Sequence, residues 1–136
     1  MKITVDRIVE APIDKVWHAY NNPEDIMQWN AASEDWHTTS SVVDLRVGGS
    51  FCSRMEAKDG SSGFDFEGTY TKIVPHELIE YSFGDRMAQI TFKDSPQGVV
   101  VQVTFDSEST NPIEMQRDGW QSILNNFKQY VEKSRV

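Results

Sequence analysis

The chain has 136 residues, 13 Lys and Arg against 21 Asp and Glu, a formal net charge of −8, and 38% hydrophobic residues. That balance suits one folded domain over residues 1–136 and excludes a disordered tail, while the acidic surplus argues against nucleic acid and anionic membranes as partners. Cys52 is the sole cysteine and Val99-Val100-Val101 the longest apolar run, so no intrachain disulfide, Cys-based zinc site, membrane helix or secretory-signal core is expected, and a cytoplasmic location is the default.

Lys2 to Glu10 alternates and is rich in β-branched residues, which predicts a strand. Pro12 opens a helix carrying Val16, Trp17 and Tyr20. Asn21-Asn22-Pro23 ends it, and Pro23 opens a second short helix with Ile26, Met27 and Trp29. From Thr38 to Ser107 the period changes to two. Six strands are predicted, separated by Gly48-Gly49, Asp59-Gly60-Ser61-Ser62-Gly63, Pro75-His76, Gly84-Asp85 and Asp94-Ser95-Pro96-Gln97-Gly98. After Asn111-Pro112, the residues Ile113, Gln116, Trp120, Ile123, Leu124, Phe127 and Val131 fall on one face of a helix. About twenty residues make it roughly 30 Å long.

One sheet with one apolar face and one helix with one apolar stripe must bury each other. A twisted seven-stranded sheet is wider than a helix of about 10–12 Å, so it has to curl. The space left between them is filled by large side chains or stays as a cavity, with the two short helices closing one end. The fold class is therefore α+β, a curved seven-stranded antiparallel sheet wrapped around a long C-terminal helix, with two short helices after strand 1.

Several segments carry a family resemblance. They are Ala11-Pro12-Ile13-Asp14-Lys15-Val16-Trp17, Asn22-Pro23-Glu24 with Gln28-Trp29, and Asp44-Leu45-Arg46-Val47-Gly48-Gly49-Ser50-Phe51 with Met55 and Asp59-Gly60. They continue with Gly68-Thr69-Tyr70, Ile73 and Pro75, Ile79-Glu80-Tyr81, and Gly119-Trp120 with Leu124 and Phe127. In this order the set resembles the SRPBCC superfamily (START-like, helix-grip proteins), and within it the family named for the activator of the heat-shock protein 90 ATPase. The resemblance implies a helix-grip fold with an internal pocket between sheet and long helix. Superfamily members use that pocket for lipids, sterols, hormones and other hydrophobic molecules, and the namesake stimulates a chaperone ATPase. One departure is Asn30-Ala31-Ala32 after Trp29, where many relatives have a second aromatic; this implies a more polar pocket mouth.

The candidate ligand-binding residues follow from these faces. Phe51, Met55, Phe66, Tyr70, Tyr81, Phe83, Ile90, Phe92, Val103 and Phe105 form the inward strand set, either core or cavity wall. Ser53, Tyr70 and Tyr81 bring hydroxyls to that face, and a buried hydroxyl wants a partner. Gln116 and Gly119 interrupt the apolar stripe of the long helix beside Trp120 and Ile123, and Gly119 suits close approach of a neighbour or ligand. Trp29, Trp36 and His37 could form a lid or a fixed plug, with the small Ala31-Ala32-Ser33 as its compliant part. His37, near Glu34 and Asp35, is the one histidine placed for acid–base work, against the plainer reading of a surface residue; His18 and His76 are expected to be solvated. Asp65, Glu67 and Cys52 fall on the outer face by parity, and Asp44 with Arg46 reads as an ion pair setting a turn. No nucleophile elbow, phosphate loop or dinucleotide glycine pattern is present.

The leading expectation is a carrier or sensor of a small hydrophobic molecule, with Tyr70, Tyr81, Ser53 and Gln116 orienting a polar end. The alternatives are an enzyme of cyclase, hydrolase or dehydratase type using the same pocket, and a protein-interaction module related to chaperone ATPase activators. No metal or cofactor, no nucleic acid and no stable membrane association are expected. A homodimer through an edge strand is open.

Overall fold

Ile3, Val5 and Val9 are buried on one side of β1 (Lys2–Val9), and the chain leaves this strand through Pro12, whose φ of −62° and ψ of 148° set the approach to a helix. The computed structural model describes residues 1–133. Two short helices follow, α1 (Ile13–Asn21) and α2 (Pro23–Trp29), sharing Asn22 as the C-cap of one and the N-cap of the other. The strands β2 (Trp36–Val43), β3 (Ser50–Ala57), β4 (Gly63–Val74), β5 (Leu78–Phe83), β6 (Arg86–Ser95) and β7 (Gly98–Asp106) come next, then α3 (Ile113–Lys133). All pairings are antiparallel and the strand order is β1-β7-β6-β5-β4-β3-β2, a meander closed by the first strand lying beside the last. The curved sheet around one long helix is the helix-grip arrangement expected from the apolar faces.

The curl has local causes. Register shifts fall between Thr38 and Ser40 on β2 and between Tyr70 and Lys72 on β4. Such bulges raise the local twist and bend the strand. Gly68 lies between them in the sheet: a Cβ there would sit 2.5 Å from the Ser82 carbonyl oxygen and 2.9 Å from the Phe51 ring. Glycine lets the Phe51 ring lie across β4.

The helix α3 is docked toward the β1 edge. Gln121 Nε2 donates to the Asp6 carbonyl (3.2 Å) and Lys128 Nζ to the Ile8 carbonyl (2.9 Å), so side chains of α3 satisfy edge backbone that no strand pairs. The Glu10 amide donates to Glu132 at 2.8 Å. Beneath α3 lies the apolar core, with Ile3, Val9, Ile90, Val101, Phe105, Phe127 and Val131 almost wholly buried. Each such side chain contributes roughly 1.5–3 kcal/mol by leaving water. Among the described residues no helix is long and apolar enough to cross a membrane.

The two internal glycines should respond with opposite signs. A Cβ at Gly119, in the middle of α3, would meet nothing within 4 Å. Gly119→Ala should therefore raise stability by about 0.5–1 kcal/mol. Gly68→Ala should lower it by about 1–3 kcal/mol through overpacking. Urea unfolding of the two variants against the parent checks both signs.

Candidate functional site: a cavity between sheet and helices

The curled sheet and the off-centre α3 leave a cavity of about 310 Å³. Phe51, Ser53 and Met55 of β3 face it, with Phe64, Phe66 and Tyr70 of β4 and Ile79 and Tyr81 of β5. Val43, Arg86 and Val103 add one side chain each from β2, β6 and β7. The helical side consists of Tyr20, Asn21, Ile26, Trp29 and Asn30, with Trp120, Ile123 and Leu124 from α3. Phe64, half exposed, marks the side that opens to solvent.

The walls are held rigidly. Trp29 Nε1 donates to the Ala19 carbonyl at 3.0 Å and its ring meets Tyr20 and Phe127. Asn30 is bracketed by Thr38, whose hydroxyl donates to the Asn30 carbonyl at 2.7 Å, and by its own amide on Met55 Sδ at 3.5 Å. Asn126 of α3 donates to the Ala31 carbonyl at 2.5 Å. Trp120 stacks on Phe105 with centroids 4.0 Å apart, and Phe51 meets Tyr81 edge-on at 4.7 Å. Aromatic pairs of this kind add about 0.5–1.5 kcal/mol beyond area burial.

Three tyrosine hydroxyls share this space. Among the described residues none of those of Tyr20, Tyr70 and Tyr81 has a hydrogen-bond partner, yet no fully buried polar side-chain atom is left unpaired. The hydroxyls therefore keep accessible surface, and for Tyr70 and Tyr81, 5% and 6% exposed, that surface belongs to the cavity. Burial pushes all three phenols well above the usual tyrosine range. The neighbouring phenols add to the rise for Tyr20 and Tyr81, and Asp44 adds to it for Tyr70. They are neutral hydrogen-bonding groups at physiological pH. Ser53 adds a fourth hydroxyl, 3.4 Å from that of Ser41.

The family model for Activator of Hsp90 ATPase homolog 1-like proteins matches residues 10–132. The chain belongs to this family. An AHSA1-like protein from Aeromonas hydrophila has a similar structure, with 48% identity, coverage of 98% of this chain and 94% of that one, and a TM-score of 0.93. A Cytophaga hutchinsonii protein is 47% identical over 97% of this chain and 92% of its own, with a TM-score of 0.84. A Chromobacterium violaceum protein is 27% identical over 97% and 98%, with a TM-score of 0.87. A search of curated proteins finds no match. Family and fold together support a ligand-binding or activator-like module in general.

In this AHSA1-like chain the cavity gathers Trp29, Phe51, Ser53, Met55, Phe66, Tyr70, Tyr81, Val103, Trp120 and Ile123 from the expected set. Six others lie elsewhere. Trp36 packs on Phe64 at 5.9 Å and borders a separate surface hollow with Lys58 and Asn125, because it starts the edge strand β2 beyond the Met55 rung. Phe83 is sandwiched among Phe66, Trp120 and Arg86, behind the wall. Ile90 is fully buried, and Phe92 is filled over by the rings of Trp17 and Tyr20 from α1. Gln116 clamps the loop before α3: its Oε1 accepts from the Glu108 amide (2.9 Å) and its Nε2 donates to the Glu108 and Asn111 carbonyls (3.1 and 2.8 Å). Both ends of its amide are thus engaged in that loop, and it does not line the cavity. Gly119 neither packs tightly nor lines the cavity.

Of the lid and plug readings, the pinned Trp29 fits the plug, and His37 sits opposite Glu56 on the exposed side of β2, as the plainer reading of a surface residue has it. Asp44 and Arg46 do pair, at 2.9 Å. His76 is exposed but its ring lies 5.7 Å from Trp17. Among the described residues no three His, Cys, Asp or Glu side chains converge in a way that could hold a metal.

Nine lining residues were missed. Leu124 and Phe64 already stood on the correct helix stripe and strand face, and Ile79 shares the parity of Tyr81. Arg86 shares the parity of Ala88, Ile90 and Phe92, a signal that could have found it. Val43 alternates inward on β2. Tyr20, Asn21, Ile26 and Asn30 depend on how α1 and α2 dock, which periodicity does not encode.

All four tyrosines titrate late, since Tyr130, donating to Asp25, is also pushed up, to about 12. Each folded pKa exceeds the unfolded value of 10.0. Their stabilising effect is therefore complete below that value and is lost as pH rises above it. Phenolate absorbance should be nearly absent just above pH 10.0 and appear together with loss of the folded circular dichroism signal. Independent titration of two or more tyrosines in folded protein would contradict this.

Proposed function

We propose that this AHSA1-like protein binds a small, mainly apolar molecule in the cavity between the sheet and α3, as a carrier or sensor. The observation that carries the reading is the trio of neutral tyrosine hydroxyls left without protein partners in a space lined mainly by aromatic and aliphatic side chains. No fully buried side-chain polar atom among the described residues is left unpaired, so these hydroxyls keep accessible surface and are free to meet a polar atom of a guest. The volume of about 310 Å³ sits at the lower end of ligand pockets. Apolar walls supply affinity, and the tyrosines orient an oxygen or nitrogen of the guest.

The same chemistry favours binding over acid–base catalysis. The phenols are held neutral by burial, and no histidine, carboxylate or thiol is among the described lining residues. A proton acceptor near neutral pH is what general-base chemistry requires.

The neutral dye Nile red tests this reading. Folded protein should take it up saturably, with a blue-shifted emission, and 1-decanol should displace it. Ile123→Trp, placing a larger ring at a half-buried lining position, should abolish uptake while leaving the unfolding midpoint within a few degrees. No saturable uptake by the parent protein, or undiminished uptake by Ile123→Trp, would overturn the proposal.

A further inference from the structure

Among the described residues, Arg86 is the only charged one that lines the cavity. It begins β6 on the row continued by Ala88, Ile90 and Phe92, all buried. Its guanidinium lies over the Phe83 ring, 4.4 Å from the centroid, and Nη1 donates to the Asp106 carbonyl at 3.2 Å. These two contacts fix the plane of the group and leave most of its five N–H donors uncommitted.

No described carboxylate pairs with it. The nearby Asp106 carboxylate is engaged by Lys2 Nζ (2.7 Å) and by the Met87 amide (2.9 Å). Arg46 and Arg54, by contrast, are taken up by Asp44 and by Glu56 with Asp65. An oriented, half-buried guanidinium beside an apolar cavity is a fork for a planar oxyanion.

We infer that Arg86 makes the cavity selective for amphipathic monocarboxylates, with the carboxylate on Arg86 and the apolar body among Phe51, Phe66 and Trp120. This rests on the binding function proposed above and names the class of guest. A single cation matches a single negative charge. The net charge of −8 disfavours a phosphate dianion, whose second charge nothing in the lining would balance. The volume holds on the order of ten water-sized groups at about 30 Å³ each, which fits a medium-chain or aromatic acid.

The test compares decanoate with 1-decanol, equal in chain length and different in charge, by displacement of Nile red at pH 7 and low ionic strength, below the micelle threshold. Decanoate should bind about tenfold more tightly to the parent protein, against the repulsion of its acidic surface. Arg86→Met, which keeps an apolar stem, should erase or reverse that preference. Arg86→Lys should keep part of it. If Arg86→Met fails to fold, the parent's preference must still shrink as salt is added, because Arg86 is only half-buried. Equal binding of both probes, tighter binding of decanol, a preference kept in Arg86→Met, or a parent preference that salt leaves unchanged would overturn the inference while leaving the cavity reading intact; failure of both probes to displace bound dye would count against both readings. Absence of dye uptake itself would remove both.

Discussion

One helix cannot cover seven strands. At about 4.8 Å between neighbours the sheet spans nearly 30 Å, against about 10–12 Å for α3. The sheet answers by curling at two bulges and at Gly68, and α3 answers by settling toward one side, where Gln121 and Lys128 reach the backbone of β1. The far side, over β3, β4 and β5, is then left to α1, α2 and large aromatic rings. Where those rings meet, the core is dense: Tyr20, Trp29, Phe92 and Phe127 interlock. Where they do not, between the Phe51–Tyr81 pair and Trp120, the cavity remains. Its position follows from where the helix docks.

The polar groups of this region fall into two kinds. Thr38 and Gln116 are engaged by the protein and fix its shape. Tyr20, Tyr70 and Tyr81 are not satisfied among the described residues and are turned to the interior space. The first kind makes the walls stiff; the second makes the space selective. A stiff wall matters because ordering a flexible pocket around a guest costs affinity.

Strand period two is enough to place Phe51, Ser53, Met55, Phe66, Tyr70 and Tyr81 on one face, and helix period enough to add Trp120 and Ile123. Parity names a face; it is silent on what stands opposite. Phe83, Ile90 and Phe92 also alternate inward, but Phe92 is covered by rings from α1, Phe83 by Trp120 of α3, and Ile90 is fully buried, so they belong to solid core. Gln116 lies on the buried stripe as expected, yet its three hydrogen bonds run to a loop that no periodicity describes. Trp36 and Trp29, seven positions apart, parted because one starts an edge strand and the other is pinned by an indole hydrogen bond to Ala19. Arg86, one of 13 Lys and Arg, stands out only when its row is traced through Ala88, Ile90 and Phe92.

The pairing of β1 with β7 brings Lys2 opposite Asp106. The strands β2 to β7 can zip as successive hairpins, each closing a short loop. Joining β1 to β7 closes about a hundred residues at once, roughly 2 kcal/mol more entropy than a ten-residue hairpin. That late closure also seats α3, which holds β1 through Gln121 and Lys128. A half-assembled meander has no roof over Phe51 and Tyr81, and so no place for a guest. Occupancy of the cavity would thus act on the unfolding rate far more than on the folding rate, making a bound guest a kinetic lock on the native state.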